Sequence, residues 1–256
     1  MNPNVLSGDT SQAKLRELFP VPILMYEWPD SEELNSALRQ TIQQHRSDGD
    51  AVYGNGWRSE QNLETWDAPC VGQLLERIQA MVQETVRRTV EDPDHRHLDG
   101  WSIEAAWANI HRRGGANKPH IHVRNNTTWA GVYYVDAGGP ADEPSGGCTK
   151  FQDRSGIPKE VIRDPDLKAH EFTVVPRPGL MVIFPGSISH YVEPNQGDDE
   201  RITIAFNLEH TGFTRLPYGA PVSVSFWWRN FRGIMLVGRV LAQRARSLGG
   251  RILRRK

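Results

Sequence analysis

The sequence predicts an α+β fold in which helices come first and pack on one sheet of a β sandwich or jelly roll. Three observations predict it. Apolar residues recur at helical spacing up to residue 90 and at strand spacing from Trp101 onward. The strand-like runs are short and closely spaced. Turn clusters separate them: Gly114-Gly115, Gly138-Gly139-Pro140, Ser145-Gly146-Gly147, Pro176-Arg177-Pro178-Gly179 and Asn195-Gln196-Gly197.

Each element has its own reason. Residues 1–17 are polar and expected to be a flexible N-terminus. Residues 18–27 read as a first strand, with prolines where a missing N–H is tolerated. Asp30-Ser31-Glu32-Glu33 starts a helix, and Leu34, Leu38 and Ile42 give it one apolar face. Residues 53–59 form a glycine-rich loop with aromatics. A second helix runs over 71–90, with Leu74, Leu75, Ile78, Met81, Val82 and Val86 on one side. Its Arg77, Arg87 and Arg88 are expected in solvent, as are His95 and His97 in the polar connection that follows. Strands are expected at 102–110, 130–135, 148–152, 170–175, 179–184 and 201–208. The domain is thus 18–210, with its β core over about 101–210.

Composition narrows the function class. Apolar residues are 38% and charged residues 24% of 256, which suits a soluble globular protein. Two cysteines, Cys70 and Cys148, exclude a disulfide scaffold. No run of 18 apolar residues predicts a spanning helix, and no signal peptide is apparent, so a cytoplasmic location is expected. The net charge is −1, yet residues 211–256 hold ten Lys/Arg and no Asp/Glu, leaving −11 on the rest. In that tail Trp227, Phe231, Ile234, Met235, Leu241, Ala245 and Leu248 recur at three- and four-residue spacing, with Arg229, Arg232, Arg239 and Arg246 between them. It reads as a basic amphipathic helix. Packing on the acidic body or in a homodimer is expected first, ahead of a peripheral membrane surface or an acidic partner protein. No nucleic-acid partner is expected.

The chemistry concentrates at Pro119-His120-Ile121-His122 and at His190. Residues two apart on a strand share a face, so His120 and His122 aim at one point. Two imidazoles turned inward need two sets of partners, and one metal ion satisfies both. His190 is the candidate third ligand. Imidazole suits Fe, Zn, Cu or Ni, so residue type alone leaves the metal open. Arg201-Ile202-Thr203-Ile204-Ala205-Phe206-Asn207 alternates and carries Arg201 inward with Thr203, Ala205 and Asn207. An inward arginine needs an anion: a buried Asp or Glu, or a carboxylate co-substrate held by the guanidinium fork. Trp107 and Trp129 read as core aromatics.

His120, Gly131-Val132-Tyr133-Tyr134-Val135, Gly146-Gly147, the run from Pro178 to Pro185 leading to His190, and Arg201-Ile202-Thr203 resemble the Fe(II)/2-oxoglutarate-dependent oxygenase superfamily, in its prolyl-hydroxylase-like branch. Leu18-Phe19-Pro20-Val21-Pro22-Ile23, Gly56-Trp57-Arg58-Ser59 and Trp107-Ala108-Asn109-Ile110 resemble a bacterial group of oxygenases within it. The resemblance covers about residues 18–210 and implies a double-stranded β-helix, the cupin-like jelly roll, with ferrous iron near one open end. Most members hold the metal with His-x-Asp/Glu and a distal His. Here His122 stands at the carboxylate position, so the third ligand is His122, Asp153 or water, with His122 favoured. The resemblance further implies that Arg201 pairs the distal carboxylate of 2-oxoglutarate, helped by Tyr134 or Thr203. Asn109 and Asn207 are candidates for co-substrate or substrate contact. The implied reaction is O2-dependent hydroxylation of a small, amino-acid-like molecule, with release of succinate and CO2; desaturation or cyclisation are alternative outcomes. Two rival readings stand beside it: a cupin-like three-histidine metalloenzyme that does not use 2-oxoglutarate, and a non-catalytic jelly-roll binding module. Loops at 55–59, 124–128 and 156–163 are expected to set the substrate.

Overall fold

A computed structural model describes residues 21–46, 55–89, 100–122, 127–139, 146–153, 171–210, 213–215 and 221–223. The elements run β1 (Leu24–Glu27), α1 (Glu32–His45), β2 (Gly56–Arg58), α2 (Pro69–Thr89), β3 (Trp101–His111), β4 (Asn117–His120), β5 (Trp129–Ala137), β6 (Thr149–Gln152), β7 (Glu171–Val174), β8 (Leu180–Pro185), β9 (His190–Val192) and β10 (Arg201–His210). A short hairpin, β11 (Phe213–Arg215) with β12 (Pro221–Ser223), follows. The basic helix expected further along the tail, and the strand start before residue 21, lie outside the described residues, as do His95 and His97.

Two antiparallel sheets face each other. One has the order β1-β8-β5-β10-β3-β2, the other β4-β9-β6-β7. Strands β3 to β10 thus pass back and forth between the sheets in the jelly-roll pattern, except that β6 and β7 form a consecutive pair in the smaller one, and β1 and β2 extend the larger sheet at its edges. The expected loop at 55–59 is therefore partly an edge strand, with Trp57 opposite Ile110. No described helix is long and apolar enough to cross a membrane.

Alternation along β10 explains how the layers form. Ile202, Ile204, Phe206 and Leu208 point to one face and join Leu38, Ile42, Leu74, Ile78 and Val82 of the two helices in the main core. Each such side chain, once buried, contributes about 1.5–3 kcal/mol. The other face looks between the sheets, where Tyr134, Phe151, Val182 and Phe184 form a second apolar cluster. On β3, Ala106, Ala108 and Ile110 likewise pack towards the helices. Trp107, Asn109 and His111 are left facing the interior, and all three line its cavity. Arg87 and Arg88 of α2 pair with Glu84 at the surface, as solvated residues do. Arg77 departs from expectation: its guanidinium lies 5.0 Å from the Trp28 ring centre and reaches the Tyr133 hydroxyl at 3.4 Å.

Candidate functional site

A cavity of about 270 Å3 opens between the sheets. Three histidines converge on it. One ring nitrogen from each of His120, His122 and His190 lies within 4.8 Å of the others. His120 is exposed, His122 half-buried and His190 buried. His120 and His190 face each other across the β4–β9 pair. His122 arrives differently from the strand alternation expected for it. Strand β4 ends at His120, and His122 is turned in because its N–H donates to the Gly186 carbonyl at 2.7 Å. Gly186 permits that approach: a Cβ there would stand 2.6 Å from the His122 carbonyl oxygen.

Each ring is fixed through Nδ1. His120 Nδ1–H donates to the Lys118 carbonyl at 2.8 Å, His190 Nδ1–H to the Ile188 carbonyl at 3.1 Å, and His122 Nδ1–H to Asn207 Oδ1 at 2.8 Å. All three Nε2 atoms therefore carry lone pairs. Yet His122 Nε2 and His190 Nε2 are 3.3 Å apart with no proton between them. Ligands bound at about 2.1 Å to one metal ion stand roughly 3–3.4 Å from each other. Burial first, then the neighbouring His120, pushes His122 down to about 4 and His190 to about 3, which keeps both neutral. Neutral imidazoles are the form that binds a metal. The donor set fits a ferrous ion. Asp153, the alternative ligand, is exposed and is not part of this group, although it lines a second, shallower pocket with His120.

Arg201 lies at the other end of the cavity, 1% exposed. Its Nη1 donates to His111 Nδ1 at 3.2 Å and approaches Thr203 Oγ1 at 3.5 Å. Its Nε and Nη2 have no hydrogen-bond partner. A buried charge without a counter-ion costs several kcal/mol, so this end of the cavity fits an anion. Gly147, with φ +66°, makes room: a Cβ there would be 2.8 Å from Arg201 Cδ. Tyr134 lies under the guanidinium, 5.2 Å from ring centre to Cζ, but its hydroxyl is shared with Thr149 at 2.8 Å. Its neighbour Tyr133 faces the helices and donates to Asn35.

The remaining expected residues divide. Asn109 and Thr203 line the cavity. Asn207 stands behind His122 and holds its ring, so its amide oxygen is engaged with a histidine rather than with the anion end. Trp129 belongs to the core, but Trp107 does not: it lines the cavity and lies parallel to His122 at 5.9 Å. Arg58 in turn lies 4.5 Å from the Trp107 ring centre. His111, Asn117 and Thr149 line the cavity too and were missed in the sequence. For His111 the available signal was the alternation Trp107, Asn109, His111. Of the other two loops expected to set the substrate, 124–126 and 156–163 lie outside the described residues.

Comparison with known proteins agrees with this geometry. Residues 105–207 match a family model described as "Putative 2OG-Fe(II) oxygenase". No curated protein matches the chain in sequence. Among similar solved structures is a prolyl-4-hydroxylase from Pseudomonas putida, 14% identical, covering 74% of this chain and 93% of its own, with a TM-score of 0.51. HygX from Streptomyces hygroscopicus, solved with nickel, 2-oxoglutarate and hygromycin B, is 13% identical over 76% of this chain and 85% of its own, with a TM-score of 0.52. The α-ketoglutarate-dependent epimerase SnoN from nogalamycin biosynthesis is 12% identical over 76% and 79%, with a TM-score of 0.53. These likenesses establish the double-stranded β-helix. The matched segment contains all three histidines and Arg201, and over that segment the chain is similar to the 2-oxoglutarate- and iron-dependent oxygenases.

Proposed function

We propose that His120, His122 and His190 hold the ferrous ion and that Arg201, with Thr203, receives the distal carboxylate of 2-oxoglutarate. The enzyme then hydroxylates an unactivated C–H bond of a small molecule, releasing succinate and CO2. One observation carries this reading: three lone-pair nitrogens and a buried guanidinium with no anionic partner among the described residues share one cavity.

When bound, the iron and the keto acid together supply the oxidant for the C–H bond. The protein's own part is to position and to exclude. The three Nδ1–H bonds set ring orientation before any ion arrives. Arg201 sets the depth at which a dicarboxylate stops. Trp57, Trp107, Val132 and Phe184 give the cavity apolar walls that keep water from the reacting atoms. Asn109 is placed to hydrogen-bond whichever molecule lies against β3. A three-histidine enzyme that ignores 2-oxoglutarate would leave the Arg201 charge buried without purpose. The test is succinate formation from 2-oxoglutarate by the iron-reconstituted protein, across a panel of small metabolites. Wild type is expected to release succinate, with stimulation by the substrate, and Arg201→Gln to lose at least 90% of it. Equal succinate release by both proteins would refute the assignment of Arg201.

A further inference from the structure

His111 carries no role in the metal set, yet it is 3% exposed and lies directly opposite Arg201 across the β3–β10 pair. Its ring is held the other way round from those of the three metal-facing histidines. Nδ1 accepts from Arg201 Nη1 at 3.2 Å, so Nε2 carries the proton and donates to Asn117 Oδ1 at 3.2 Å. The ring thus ties three strands together at the anion end: β3 through its own backbone, β10 through Arg201 and β4 through Asn117. Its carbonyl accepts from Asn195 Nδ2 at 3.1 Å, which anchors its backbone as well. An imidazolium would turn an N–H towards the guanidinium. Burial, and then the charge of Arg201, hold His111 at about 4, so the ring stays neutral and remains an acceptor.

We propose that His111 is the positioning residue for 2-oxoglutarate: a neutral acceptor that pins Nη1 of Arg201 and so presents the unpaired Nε and Nη2 to the distal carboxylate. The 3.2 Å bond to His111 is the shorter of the two on Nη1, beside the 3.5 Å one to Thr203, and a fork gains affinity chiefly when its orientation is set beforehand. This rests on Arg201 being the carboxylate residue.

The test uses full-length protein loaded with Ni(II), which imidazole binds without turnover. Calorimetry measures the affinity for 2-oxoglutarate and for pyruvate, which has the keto-acid end but no distal carboxylate. His111→Leu removes the acceptor at similar volume. His111→Asn keeps an acceptor oxygen near the Nδ1 position. The expected result is a loss of 2-oxoglutarate affinity of about tenfold or more in the leucine variant, with pyruvate and Ni(II) affinities unchanged, and recovery to within about threefold in the asparagine variant. Unchanged 2-oxoglutarate affinity in the leucine variant overturns the proposal, as does an equal loss for both acids. Arg201→Gln separates the two claims. If that variant loses 2-oxoglutarate while His111→Leu keeps it, only the role of His111 falls. If Arg201→Gln binds 2-oxoglutarate like wild type, the carboxylate assignment falls first and His111 with it.

Discussion

His122, a proposed ligand, shows how a single ring is held in place. Its backbone is drawn in by Gly186 and its ring is oriented by Asn207. Outer partners of this kind change metal affinity by about 10–100-fold. Asn207→Leu is therefore expected to weaken Ni(II) binding about tenfold by calorimetry, with little change in the melting temperature. Gly147 makes the complementary case at the anion end. Alanine there combines a left-handed backbone with a Cβ 2.8 Å from Arg201 Cδ. It is expected to lower stability by about 1–3 kcal/mol in urea unfolding and to weaken 2-oxoglutarate binding, leaving Ni(II) affinity unchanged. The histidines and Arg201 could be read from the sequence because their types are costly to bury without a purpose. The roles of Asn207 and His111 could not. Strand alternation tells which face a residue takes but not its neighbour on the next strand, and both roles depend on cross-strand partners.

At the scale of elements, the helices support the larger sheet and the site lies on that sheet's opposite face. Leu74 is fully buried between α2 and the sheet. Leu74→Ala is expected to cost about 2–5 kcal/mol of unfolding free energy while leaving the Ni(II) affinity of the folded protein intact. Glu200, just before β10, binds Gln43 and Arg46 at the end of α1 and Arg112 just after β3. Burial works against its ionised form, but the hydrogen bonds from Gln43, Arg46 and Arg112 outweigh it and hold the carboxyl below its ordinary range. The folded state therefore gains stability from Glu200 above the unfolded pKa, and loses it as the pH falls through the lower folded value. Glu200→Gln should melt earlier than wild type at pH 7, and the gap should close as the pH drops below about 4. Both helices and seven strands, β1, β3, β5, β6, β7, β8 and β10, were legible from periodicity and turn residues. The short strands β2 and β9 and the β11–β12 hairpin were not, having three residues each and bounds set by pairing rather than by pattern, and β4 was legible only as the strand expected to carry His120.

For the whole molecule, the decisive property is the sign of the cavity. Among the described residues lining it, the charged ones are Arg58, Lys118 and Arg201, and none is acidic. With His122 in place of a carboxylate, a divalent ion adds charge to a site that is already positive, and a dianion relieves it. Ni(II) is expected to bind at least tenfold more tightly with saturating 2-oxoglutarate than without, and by linkage the reverse holds by the same factor. His122→Asp should narrow that ratio, because the protein then supplies part of the negative charge itself. The jelly roll was legible from strand spacing and the resemblance together, whereas the absence of acid around the cavity required the fold. The most direct test of the three-histidine and arginine site is an anaerobic titration of the Fe(II)-loaded protein with 2-oxoglutarate, followed by the visible charge-transfer band of an iron-chelated 2-oxo acid. Saturation is expected at one equivalent per chain, with loss of the band in His122→Ala and a weaker, right-shifted curve in Arg201→Gln. A wild-type protein without the band, or curves that superimpose for all three proteins, would contradict the proposed site.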